Sequence, residues 1–230
     1  RLQDIKIIKA DLDNTSAVLL RFHDGYVIKV NQKHPPVRQN FSCAHEIGHA
    51  LLSELQLYLT EDIEYRTLNP QTPRVRERLC DIAATELLMP EYVFGEYLSG
   101  FGISVHSIER LANIFNVSKQ AAAFRIAEVS PEPCLALLWQ PWPKNKPKGL
   151  RLVKRTGKGI NSQNRVNYMP KHNLVKPPST LHEAYKASSA TKSFRNFKID
   201  NTVKRLSVES KGYGYGENRY VISLAFLNNE

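Results

Sequence analysis

Cysteine is scarce: Cys43, Cys80 and Cys134 are the three present, far apart and without CxxC spacing. That excludes a disulfide framework and a cysteine-rich zinc knuckle, and three reduced, buried thiols are expected. Cys43 as a nucleophile beside His45 is the weaker reading, because close neighbours on a helix point to different faces. Long apolar runs are missing too. No stretch approaches the roughly 18 to 20 uncharged apolar residues of a membrane span, and the opening RLQDIKIIKADLD lacks the apolar core of a secretory signal. The expectation is a cytoplasmic chain with no membrane partner, and Arg1 in place of a methionine implies that residues precede it. No internal repeat of 20 to 50 residues is present. The Gly-rich GYGYG at 212–216 lacks the Lys-Ser/Thr pair and helix start of a phosphate loop, so it reads as a turn.

What remains is enough for a real core: 230 residues, 42% of them hydrophobic. The net charge of +10 is uneven. Residues 1–130 carry 14 Lys and Arg against 16 Asp and Glu, a net −2, while residues 131–230 carry 18 against 6, a net +12. A basic C-terminal part favours contact with phosphate or an acidic partner, and weak nucleic-acid contact is expected there.

The residue pattern predicts strands at 5–10 and at AVLLRF and YVIKVN, the last two joined through Asp24-Gly25, a strong hairpin signal. A small antiparallel sheet therefore precedes a helix from about Arg38, on which Phe41, Ala44, Ile47, Gly48, Leu51 and Leu52 recur at three- and four-residue steps. Residues 53–73 read mainly as a loop around a cleft. A second helix is expected from Arg74 to Met89, stopped by Pro90, and then a short helix closed by Gly100 and Gly102. Residues 104–128 have a helix-turn-helix outline with the turn at Asn116-Val117-Ser118. Beyond about 130, CLALLWQ, LRLVKRT, KRLSVES and YVISLAFL read as strands, and STLHEAYKAS as a helix capped by Ser179 or Thr180. The expected fold is α+β: a domain of a small antiparallel sheet plus helices over 1–103, a helix-turn-helix segment over 104–130, and a basic strand-rich domain over 131–230.

The chemistry lies in His45-Glu46-Ile47-Gly48-His49. Two imidazoles four residues apart are about 40° apart around a helix and reach one metal, while Glu46 lies on the adjoining edge as a catalytic base. A catalytic zinc site wants three protein ligands and an open position. The helix from Arg74 supplies Glu77-Arg78-Leu79-Cys80-Asp81. Glu77 and Asp81, one turn apart, suit a third ligand and a carboxylate that accepts the outer N–H of a ligand histidine, His45. Ala83 and Ala84 allow the two helices to approach closely. His23, His34, His106, His172 and His182 are expected to be solvated or packed in the core.

Residues 38–49 (RQNFSCAHEIGH) and 77–90 (ERLCDIAATELLMP) resemble the ImmA/IrrE-type metallopeptidases, gluzincin-like bacterial regulators with HExxH, ExxxD and LLMP motifs. Cys80-Asp81 stands where Ala-Asn is common in that family, and Ala83 replaces an aromatic, with the ligand Glu retained. The resemblance is good over 15–95 and weak beyond 128. It implies a zinc endopeptidase, with manganese as the alternative metal. The implied substrate is a helix-turn-helix repressor, cut once to release stress-response or mobile-element genes, and the C-terminal domain would be a diverged GAF-like one. The second reading, from a different class, is a DNA-binding transcriptional regulator. Against it, the recognition-helix segment 119–125 (KQAAAFR) has few base-reading side chains. For the oxyanion-stabilising donor, Tyr65, Tyr92 and His106 are the candidates.

Overall fold

In the computed structural model, the described residues are 4–59, 73–143, 147–158, 174–187, 189–199 and 202–227. They form an α+β protein of two compact units: Arg1–Glu91 with Phe115–Ser118, and Tyr92–Ile114 with Lys119–Glu230.

The first unit opens with β1 (Asp4–Ala10), β2 (Ala17–Phe22) and β3 (Gly25–Asn31) in the order β1-β3-β2. The β2–β3 hairpin is antiparallel, as the Asp-Gly step predicts, but β1 runs parallel to β3, so the sheet is mixed rather than wholly antiparallel. Gly25 permits this: a Cβ there would lie 2.3 Å from the Asp4 carbonyl oxygen on β1. Tyr26, Ile28 and Val30 send one face of β3 into the core. Asn31 closes the strand. Its buried amide donates to the carbonyls of Asp13 (3.1 Å) and Thr15 (2.8 Å), satisfying groups that would otherwise be costly to bury.

Helix α1 covers Pro36–Leu59 and α2 covers Pro73–Leu88. Pro36 sits in the first turn, where its missing N–H costs nothing. α1 continues past residue 53, where a loop was expected. The run LLSELQLYL is made of good helix formers, which outweighs its polarity. Tyr26 fixes α1 to the sheet by donating its hydroxyl to Glu54 Oε1 at 2.6 Å. α1 and α2 meet closely at Gly48, where a Cβ would stand 3.0 Å from Cys80 Cα and 3.3 Å from Ala83 Cβ.

The second unit holds α3 (Glu91–Phe101), α4 (Val105–Ile114) and α5 (Lys119–Val129), then β4 (Cys134–Trp142), β5 (Gly149–Lys158), β6 (Leu174–Val175), α6 (Thr180–Lys186), β7 (Thr191–Ile199), β8 (Thr202–Tyr213) and β9 (Tyr220–Phe226). The strands form one antiparallel sheet in the order β6-β5-β4-β9-β8-β7. Residues 134–139 of β4 are buried along their whole length, since the strand is central and covered on both faces. One side packs Leu135, Leu137, Trp139, Leu150, Leu152 and Leu206 with Leu181 and Ala184 of α6. α6 begins at the predicted cap, the Ser179 side chain accepting from the His182 N–H. β7 was not anticipated: TKSFRNFKI alternates basic and aromatic residues on an edge strand, a pattern weak in the β-branched residues that mark a core strand.

Residues 104–128 hold two helices, α4 and α5, with Asn116 at a φ of +49° between them. α5, however, buries Ala122, Ala123, Arg125, Ile126 and Ala127. At the start of α4, the Val105 N–H donates to Glu209 Oε2 at 3.0 Å, and Lys192 Nζ lies 3.0 Å from the other oxygen. A buried carboxylate on β8 thus caps a helix N-terminus, where the helix dipole favours negative charge. Contacts divide the chain at Glu91/Tyr92, whereas composition shifts near 130: α4 and α5 pack with the strands that follow them.

Candidate metal centre

The site is built on α1 and α2, within the first unit. His45 and His49 share one face of α1 with ring centroids 4.9 Å apart. Both are largely covered, their side chains 17% and 20% exposed, while Glu77 and Asp81 of α2 are 58% and 60% exposed. The four side chains predicted to meet are brought together. Glu77 Oε2 lies 3.2 Å from His45 Nε2, and its other oxygen lies 3.5 Å from His49 Nε2. Asp81 Oδ1 lies 3.0 Å from His45 Nδ1.

These distances contain a test for a cation. With Nδ1–H donated to Asp81, a neutral His45 carries a lone pair on Nε2, which then faces a carboxylate oxygen. Two acceptors face each other there, and that repulsion is relieved only by a proton or a metal ion between them. Donor atoms each about 2.0–2.1 Å from a tetrahedral zinc stand about 3.4 Å apart. The observed 3.2 and 3.5 Å, each to a different Glu77 oxygen, are close to that spacing, so each histidine–carboxylate pair is compatible with a shared cation.

Glu46, half-buried on α1, is close enough to the Cys43 and Cys80 thiols for its charge to raise the pKa of both. Cys80 is fully buried, and its thiol is pushed up to about 11 by burial first, then by Glu77, with Glu46 and Asp81 adding and Arg76 opposing. Burial raises Cys43 as well. Without a bound metal, thiols raised in this way stay protonated at neutral pH, which counts against Cys43 as a nucleophile.

The sequence does not single out Cys80 as a candidate ligand. The Cys80 thiol and one ligand nitrogen from each of His45 and His49 all lie within 4.8 Å of one another. The available signal was its position three residues after Glu77, on the same helix face. Of the oxyanion candidates, Tyr65 lies outside the described residues; Tyr92 and His106, each 76% exposed, are on α3 and α4 of the second unit. His172 also lies outside the described residues. His182 packs beside Ser179. Among the described residues, no helix is long and apolar enough to cross a membrane.

A sheet-backed helix pair thus brings the two histidines of HExxH on one helix to the acidic ExxxD face of the other, a donor set of the metal-binding class. Residues 2–127 match the family described as the IrrE N-terminal-like domain, and the chain belongs to that family. It is similar to two proteins named radiation response metalloprotease IrrE. One, from Deinococcus radiodurans, is 36% identical over 115 residues, covering 50% of this chain and 35% of the relative. The other, from Deinococcus deserti, is 34% identical over 115 residues, covering 49% of this chain and 40% of the relative. The match thus spans well under half the length of either relative. A solved structure described as a Mycobacterium tuberculosis transcriptional regulator shares the fold, with TM-score 0.62 and 16% identity over 96% of this chain and 66% of that one.

Proposed function

We propose that the chain is a zinc-dependent endopeptidase, with manganese as the alternative metal, in which His45, His49 and Glu77 hold the ion. The observation that carries this reading is the Glu77 carboxylate facing the Nε2 atoms of both histidines while Asp81 occupies Nδ1 of one. When bound, the metal supplies Lewis-acid polarisation of a peptide carbonyl and a lowered pKa for coordinated water. Asp81 fixes the tautomer and ring orientation of His45 and makes its Nε2 a better donor. Glu46 is the general base: its carboxylate takes a proton from the attacking water and returns it to the leaving amine. The substrate would be a helix-turn-helix repressor cut at one site in stress or mobile-element regulation, as in the family it belongs to, within a reducing cytoplasm suited to free thiols at Cys43, Cys80 and Cys134.

Segments 1–103 and 104–130 would serve catalysis and docking, and 131–230 regulation. A DNA-reading role for α5 is disfavoured because the helix commits Ala122, Ala123, Ile126 and Ala127 to packing. Weak, salt-dependent nucleic-acid contact by the basic C-terminal part remains compatible with the peptidase, and a binding titration at two salt concentrations measures it. The test of the main reading is co-expression with a candidate repressor: the parent yields one cut, and Glu46→Gln yields none while keeping its metal. Equal cleavage by the variant would refute the mechanism.

A further inference from the structure

α2 offers the imidazole pair more than one donor. The Glu77 side chain is 58% exposed, whereas Cys80, three residues on, is fully buried. Its Sγ and one ligand nitrogen of each histidine fall within 4.8 Å of one another. Nitrogen and sulfur on a tetrahedral zinc, at about 2.05 and 2.3 Å, stand about 3.6 Å apart, so a rotation of the Cys80 side chain or a slight helix shift closes the gap. The helices are already in contact at this level, with the Gly48 Cβ position 3.0 Å from Cys80 Cα, and no side chain can stand between them. Cys134, buried in the sheet of the other unit, has no such neighbours in any metal-binding group among the described residues.

We propose that Cys80 is a fourth, displaceable ligand of the metal held by His45, His49 and Glu77, closing the site in its resting state. The inference rests on the metal reading above. Closed tetrahedral sites are structural, whereas catalytic ones keep a position open, so Cys80 ligation holds the peptidase idle until the thiol leaves. On closing, the Sγ–H bond breaks, the Sγ–metal bond forms and the proton passes to solvent; opening reverses each step, and nothing is oxidised or reduced. Occupancy by a soft thiolate also favours zinc over manganese in the resting protein.

Cobalt(II) loading of the full chain, without substrate, reads the ligand directly. The parent shows a near-ultraviolet thiolate-to-cobalt charge-transfer band, which Cys43→Ser keeps, and which Cys80→Ser and Cys80→Ala lose while retaining the visible cobalt bands. Cobalt bound in the parent with no charge-transfer band, or a band that survives Cys80→Ser, overturns the proposal and leaves the histidine–glutamate site standing. No cobalt uptake at all overturns both. Should the variants fail to fold, zinc-edge X-ray absorption of the parent decides alone. One sulfur at about 2.3 Å supports the ligand, and a shell of nitrogen and oxygen only refutes it.

Discussion

Asp81→Ala removes a single contact, the 3.0 Å bond from His45 Nδ1, and leaves every proposed ligand in place. Partners of this kind change metal affinity by about 10- to 100-fold, or roughly 1.4–2.8 kcal/mol. Here the lower end applies, because the Asp81 side chain is 60% exposed and water both screens its charge and substitutes for its oxygen. The expected loss is therefore about tenfold, measured by competition with a chromogenic chelator at fixed pH. Asp81→Asn separates geometry from charge. It keeps an oxygen that can accept from Nδ1–H but no longer stabilises positive charge on the ring, and should fall between parent and alanine. Glu77→Gln, which weakens a proposed ligand, should lose more than either. Unchanged affinity in Asp81→Ala would refute the assignment of the Nδ1 tautomer, and with it the argument that a cation must separate His45 Nε2 from Glu77.

Glu209→Ala strips the cap from α4 and removes the Glu209–Lys192 ion pair, so urea unfolding should show a loss of about 1–3 kcal/mol with metal binding unchanged. His182 has its pKa lowered below 6.5 by burial first and by Lys186 second. Between the folded and unfolded values the unfolded chain binds the extra proton, so His182 lowers stability as pH falls through 6.5. His182→Gln should flatten the stability difference between about pH 5 and about pH 8; an unchanged slope would exclude this source. Leu206→Ala, in the packed face beneath α6, should cost about 2–5 kcal/mol by calorimetry.

That His45, His49, Glu77 and Asp81 lie close together was legible because the rules that decide it are local. The four-residue spacing of His45 and His49 and of Glu77 and Asp81 fixes which side chains share a face, and the Asp24-Gly25 step fixes a hairpin. What depended on tertiary context was harder to read. Nothing near Asp4 states that β1 will lie parallel to β3, and α1 outruns its expected end because the leucine-rich run at 51–59 propagates the helix. β7 escaped because an edge strand can alternate lysine, phenylalanine and arginine without a buried face of its own. Cys80 reads in the sequence as a reduced, buried thiol, since only the closeness of α1 and α2 brings it near two imidazoles.

That closeness makes Gly48 the position on which the whole centre turns. It lies between the two histidines, and a methyl there would meet Cys80 Cα at 3.0 Å, the Cys80 carbonyl oxygen at 3.2 Å and Ala83 Cβ at 3.3 Å. Two of these atoms are backbone, so no rotamer change gives way and the helices must part by a few tenths of an ångström or more. Overpacking of this kind costs about 1–3 kcal/mol. The donors are held from opposite helices, so the same separation lengthens the His45–Glu77 and His49–Glu77 spacings together. Gly48→Ala should therefore lose metal affinity more steeply than Asp81→Ala, although the substituted residue offers no ligand atom. If Gly48→Ala binds metal as well as the parent, the close approach of α1 and α2 is not what sets the reach of the donors, and the two helices do not hold the ion between them.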